Sequence, residues 1–333
     1  MSNIKSRLTR LKNRKPSDAL QVAAVKTSFL GGALSFPKVI EPVNRMLNLE
    51  SWIAENFQAF QNDLLKYGAI LFRGFKINTV ERFQKLMTSF PSESLEYTFR
   101  SSPRYALADN VYVSTTYPPD QHIVMHSESS YAPNHPARIV FCCITPAEVQ
   151  GETPIADNRK IYQQLSDSLR DKFHQKGVLY RRNLTETMGL SWKEVFQLDD
   201  KEAVAVACRK NGMNYHWKNE NDLMLDWTKK AIWQHPKSGE TIWFNHALFF
   251  NKYMQGEEIL DVVQSDEDLP NNTLFGDGTA ISKAEIEEIQ QAYEQSTVVF
   301  PWQRGDVLFL DNMLMSHGRN PYRGARKIIV SMS

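Results

Sequence analysis

The segment MHSESSY, residues 125–131, sets an imidazole (His126) and a carboxylate (Glu128) two positions apart, with a serine between them. On a helix these side chains would point about 200° apart. On a strand, residues i and i+2 stand on one face and aim at the same point. The strand reading makes the pair a candidate for holding a metal, for a base with the group that orients it, or for plain packing. Among the chain's eight histidines, His317 is placed to join them, because it follows the apolar stretch VLFLDNML and precedes Gly318. Two neutral imidazoles and one carboxylate on one face of an octahedral ion leave three positions open, as in non-haem Fe(II) oxygenases. Blander readings stand beside this one: His126 as a core histidine, or Glu128 paired across strands with Arg138. Zinc held by His122 and His126 at i, i+4 would need a helix, which Ile123-Val124-Met125 after Pro118-Pro119 does not suggest, and the HExxH glutamate is missing.

A second group lies toward the C-terminus. HGRNPYRGARKIIV places Arg326 on an expected strand nine residues after His317. A guanidinium beside an open metal site suits a dicarboxylate, because its planar fork takes a carboxylate in bidentate fashion. The alternative is a surface arginine like its neighbours Arg304, Arg319 and Arg323. In GETP, the Thr153 hydroxyl could add a hydrogen bond to the same carboxylate, or belong to an ordinary turn.

These residues need a scaffold. SWIAENFQAFQNDLLKYG reads as one helix, with Ile53, Phe57, Phe60 and Leu64 on a single face and Gly68 as the stop. NRKIYQQLSDSLRDKF and DDKEAVAVACRKNG read as further helices, and TVERFQKLM as a short one. AILFRGF, NVYVSTTYP, HIVMHSE and the continuous apolar run ARIVFCCIT read as strands, and AIWQHPKSGETIWFN as a hairpin. Residues 268–281, DLPNNTLFGDGTAI, read as a long loop of the kind that forms lids. The loop ends in a capping box, Ser282 with Glu285, ahead of another helix. Strands dominate both ends of the chain and no repeat is visible. The pattern predicts one mainly β domain over residues 19–333, a sandwich or barrel-like core with flanking α-helices, preceded by a basic tail at 1–18.

Composition narrows the function classes. With 39 Lys and Arg against 38 Asp and Glu, no global field draws the chain to nucleic acid or membrane. Three cysteines, two of them adjacent, make no disulfide framework, which favours the cytoplasm. No apolar run is long enough to span a bilayer. Thr116, Asn245 and His246, from VYVSTTYP and WFNHALFF, are candidate substrate contacts, with Arg104 as a further partner for a substrate carboxylate.

Taken together, YGAILFRGF, HSESSY, QGETPIADNRKIY, WFNH, LFGDGTAI and GDVLFLDNMLMSHGRNPYRGARKIIVSM resemble the TauD/TfdA (taurine dioxygenase-like) family, from about residue 65 to the C-terminus. The nearest likeness is to its syringomycin-type branch of amino-acid hydroxylases in natural-product biosynthesis. The resemblance implies a double-stranded β-helix (jelly roll) and an oxidoreductase that uses Fe(II), 2-oxoglutarate and O2. It implies His126, Glu128 and His317 as iron ligands, with Thr153 and Arg326 on the distal carboxylate of 2-oxoglutarate. It also implies hydroxylation of an aliphatic carbon of a small amino-acid-like substrate, free or tethered to a carrier protein, with desaturation or epoxidation as variants of that chemistry. A zinc hydrolase using the same three ligands would have no use for Arg326 with Thr153, and a metal-free binding protein on this scaffold is the third reading. Glu128 fills with protein a position that chloride would need for halogenation. The sequence departs from the pattern at Gln150-Gly151, where Gly-Gly is usual, and at Val330, where taurine dioxygenase has a second arginine; the latter counts against sulfonate substrates.

Overall fold

The run ARIVFCCIT has no polar face. In the computed structural model, which describes residues 24–30, 32–90, 99 and 105–333, it is buried on both sides. Arg138–Thr145 lies inside an eight-stranded sheet, antiparallel to both Val307–Asp311 and Lys327–Met332. Alternation divides its side chains between two cores. Ile139, Phe141 and Cys143 join Leu308, Leu310, Ile328 and Val330 on one face, where they meet Ile155 and Met315 of a second sheet. Val140 and Cys142 join Ile70, Phe72, Val307, Phe309 and Ile329 on the other, under Ile53, Phe60, Phe83 and Leu86 of the flanking helices. There Phe60 and Phe309 meet edge-on at 5.2 Å, and truncating either ring to alanine would cost about 3–5 kcal/mol.

The second sheet has four antiparallel strands in the order Thr297–Val298, Ile155–Asp157, Met315–Arg319, Ile123–His126. The two facing sheets make a double-stranded β-helix. A third sheet, Asn214–Trp217, Leu223–Lys229, Val178–Leu184 and Asn271–Phe275, packs with several of the later helices into its own core.

Local sequence signals held where they were chemical. Asp200 caps Lys201–Lys210, Ser282 and Glu285 form the capping box of Lys283–Gln295, and Ile232–Gln234 pairs with Thr241–Trp243. Two helices expected to be continuous are broken. Leu49–Glu55 and Phe57–Tyr67 meet at Asn56, and Asn158–Gln164 stops at Leu165, whose extended backbone lets Ser166 cap Asp167–Lys176.

The expected loop at 268–281 is a correction: it contains the strand Asn271–Phe275, paired along its length with Val178–Leu184. Its asparagines have low intrinsic preference for strands but are recruited by side-chain bonds. Asn271 Oδ1 accepts from Arg182 Nε, and Asn272 Oδ1 accepts from the backbone N–H of Lys252. Asn272, Thr273 and Phe275 are buried, which sets this stretch within a sheet and not in a free loop. Hydrogen exchange should therefore find the amides of 271–275 equally protected with and without 2-oxoglutarate; a ligand-dependent gain in protection would restore the lid. The basic tail 1–18 and Arg104 lie outside the described residues.

Candidate active site

His126 ends the strand Ile123–His126 and pairs directly with His317 on Met315–Arg319. Residues directly opposite in an antiparallel pair share a face, and the two imidazoles lie 4.5 Å apart, centroid to centroid. Glu128 falls beyond the strand end, so strand alternation does not aim it. Asn312, fully buried, does so instead. Its Oδ1 accepts from the Glu128 N–H at 2.8 Å, and its Nδ2 donates to the carbonyls of Glu128 and Pro136. The result is one ligand atom each from His126, Glu128 and His317, all within 4.8 Å of one another, which is a fit for a single ion. His126 Nδ1 lies 2.8 Å from the Val124 carbonyl, so it carries the proton and leaves Nε2 as the electron-pair donor. The alternative partner for Glu128 is engaged elsewhere: Arg138 Nε bonds Ser333 Oγ, and its guanidinium lies over Phe90.

The backbones of the two histidine strands approach closely. A Cβ on Gly318 would sit 2.7 Å from the Ile123 carbonyl oxygen and 3.0 Å from Met125 Sδ. Gly318→Ala should push these strands apart, lowering stability by about 1–3 kcal/mol and weakening metal binding. Thermal unfolding and a Co(II) titration check this, and two unchanged values would remove the spacing argument.

His126, Glu128, His317, Thr153 and Arg326 all line one cavity of about 460 Å³. Arg326 stands just before the strand Lys327–Met332 rather than on it. Its Nε donates to the Gly151 carbonyl at 2.8 Å, and its Nη2 is 3.4 Å from Thr153 Oγ1, which also accepts from Trp302 Nε1. Gly151 must be glycine, because a Cβ there would meet Tyr322 Cβ at 2.8 Å and Arg326 Cδ at 3.1 Å. Burial, followed by the charge of Arg319, pushes Arg326 down to about 10, so it remains a cation at neutral pH.

Arg319 is a cavity residue that the sequence left among surface alternatives. It is 3% exposed and donates to the carbonyls of Tyr117, Pro118 and Gln121, fastening the segment that leads into the first histidine strand. Arg323 is exposed.

Thr116 and His246 line the cavity as expected, whereas Asn245 is turned to structural duty, with its amide on the Ala231 carbonyl and the Ala247 N–H. His246 Nδ1 lies 2.6 Å from Ser130 Oγ. Were the serine to accept, its own buried proton would lack a partner, at a cost of about 1–3 kcal/mol. The hydroxyl therefore donates, and the imidazole proton sits on Nε2, which makes no hydrogen bond among the described residues. Burial, followed by His126, holds His246 well below the usual histidine range, so it is neutral. Phe249 and Phe250 of the WFNHALFF stretch also line the cavity, joined by Met254, Gln255 and Ile259 from the following segment, which has no motif to mark it.

Comparisons with known proteins bear on the family and the fold. Residues 37–332 match the family described as "Taurine catabolism dioxygenase TauD, TfdA family". The dapdiamide synthesis protein DdaC of Enterobacter agglomerans is 36% identical over 272 residues, covering 81% of this chain and 83% of that protein. A clavaminate synthase-like protein of Arabidopsis thaliana is 27% identical over 315 residues, covering 89% and 93%. Among solved structures, PvcB of Pseudomonas aeruginosa superposes with a TM-score of 0.56 at 12% identity, covering 95% and 93%, a likeness of fold.

Proposed function

The chain belongs to the TauD/TfdA family of Fe(II)- and 2-oxoglutarate-dependent dioxygenases, and on that premise we propose that it hydroxylates an aliphatic carbon of a small amino-acid-like metabolite, free or carrier-tethered, in natural-product biosynthesis. The observation that carries the reading is the convergence of the His126, Glu128 and His317 ligand atoms in the cavity that also holds Arg326 and Thr153. The relation to a dapdiamide synthesis protein supports the biosynthetic setting.

In this reading His126, Glu128 and His317 hold the iron. Bound there, iron supplies activation of O2 coupled to oxidative decarboxylation of 2-oxoglutarate to succinate and CO₂. Everything else is positioning by the chain. Val124 fixes the His126 tautomer, and Asn312 fixes the backbone of Glu128. Arg326, charged and desolvated, takes the distal carboxylate of 2-oxoglutarate, with the Thr153 hydroxyl beside it; a fork of this kind sets both distance and orientation. Val124, Phe249, Phe250 and Met254 keep water from the reacting carbon. Thr116, Gln255, Asn271 and the His246 Nε2–H are among the polar groups available to a substrate. With Val330 buried where a second arginine would stand, a sulfonate has no partner at that position.

The test is succinate release coupled to turnover across a panel of free and carrier-bound amino acids, with products identified by mass and NMR. A hydroxylated product bears out the reading. An alkene or epoxide keeps the cofactor chemistry and replaces the outcome, and no succinate with any member sinks the substrate class.

A further inference from the structure

The serine between the two N-terminal ligand candidates has so far had no role. Ser127 follows the last residue of the strand Ile123–His126 and Ser316 precedes His317 on Met315–Arg319, so the two serines adjoin the paired histidines. Both are buried, at 1% and 0% exposure, and their Oγ atoms are 3.0 Å apart. Asn158, also at 0%, completes the group. Its Nδ2 donates to Ser127 Oγ at 2.9 Å and to the Met313 carbonyl at 2.8 Å, and its Oδ1 accepts from Ser316 Oγ at 2.6 Å. The amide orientation follows from the Met313 carbonyl, which can only accept. Proton directions then follow by elimination. Ser316 spends its proton on Asn158 Oδ1, so it is the acceptor for Ser127, whose oxygen already accepts from Asn158. The three residues close a ring of hydrogen bonds running in one sense, Ser316 to Asn158 to Ser127 and back to Ser316. In such a ring each bond polarises the next.

The ring lies just past the His126 end of a short backbone ladder. Between the two histidine strands only His317↔His126 and Arg319↔Ile123 are paired, with a register shift between them. Bulges of this kind loosen a ladder. We infer that Ser127, Ser316 and Asn158 are positioning residues that clamp the two histidine strands from behind and hold the ligand atoms at the separation a metal requires. None of them lines the cavity, so they touch neither metal nor substrate. The inference rests on His126, Glu128 and His317 being the ligands.

The experiment compares metal-free wild-type protein with Ser127→Ala, Ser316→Ala and the double variant. Co(II) is titrated by calorimetry, and thermal unfolding is recorded without metal. Loss of groups that orient metal ligands weakens binding about 10–100-fold, so each single variant should raise the Co(II) Kd about tenfold or more. Because either substitution opens the same ring, the double variant should be no weaker than about the weaker single. Asn183→Ala is the structural control. It deletes two hydrogen bonds, a part-buried one to the Glu267 carbonyl and a buried one to the Leu269 carbonyl, from a residue outside the cavity lining. It should lower the unfolding temperature and leave the Co(II) Kd unchanged. Single variants that bind Co(II) within threefold of wild type overturn the clamp. Fully multiplicative effects in the double variant overturn the closed ring. His126→Ala, run alongside, reads the ligand assignment itself: retained 1:1 binding there overturns that assignment and the inference with it.

Discussion

Alanine at His126, Glu128 or His317 is expected to abolish both turnover and 1:1 metal binding, with the metal-free protein still folded. None of the three belongs to the hydrophobic clusters that hold the sheets and helices together. Each faces the cavity, where truncation opens space already continuous with it instead of leaving a sealed void. Stability should therefore move by no more than the about 0.5–3 kcal/mol usual for single substitutions, whereas a three-ligand site with one donor gone no longer presents a face to the ion. Calorimetric metal titration and the thermal transition of the metal-free protein separate the two effects. Near-normal turnover in any one variant with added Fe(II) would strike that residue from the ligand set.

Arg326→Ala should raise the KM for 2-oxoglutarate about 30-fold or more while leaving metal affinity nearly unchanged. Removing one partner of a buried charge pair costs about 2–5 kcal/mol, and about 1.4 kcal/mol is a factor of ten. Pyruvate, which has no distal carboxylate, should lose little, so the variant's preference between the two keto acids collapses. The pH dependence follows from the direction of the shift. Burial lowers the pKa of Arg326 to about 10, and its charge is complete well below that value. Binding of 2-oxoglutarate should show no Arg326-linked loss between about pH 6 and 8 and should weaken only as pH approaches 10. A 2-oxoglutarate KM within about threefold of wild type, far below the estimate, would pass the anchor to Arg319, the other arginine lining the cavity. Arg323 is exposed and outside that lining, so it is not placed to take the role.

Much of the scaffold was legible because burial leaves a period in the sequence. The unbroken apolar run at 138–145 reports a strand covered on both faces, and the Ser282–Glu285 box reports a helix start through two hydrogen bonds within one turn. The misreadings share a cause. At Asn56 and Leu165 the apolar period runs on through a break that only backbone angles record. In Asn271–Phe275 the polar composition reads as loop, yet distant partners satisfy it within a strand.

Which chemistry was on offer could be read in one dimension: an imidazole and a carboxylate two positions apart, a distant second imidazole after an apolar strand, and a guanidinium with a hydroxyl suited to a dicarboxylate. Side-chain type and short spacing are local properties, and local properties survive in one dimension. Tertiary structure alone decided whether those groups converge. Glu128 is aimed by Asn312, 184 residues away. His246 is held in one tautomer by Ser130, 116 residues away. The cavity wall at 249–259 is carried to the site by the packing of a third sheet. Each of these depends on hydrogen bonds or contacts between segments remote in the chain, whose pairing leaves no period for a sequence to display.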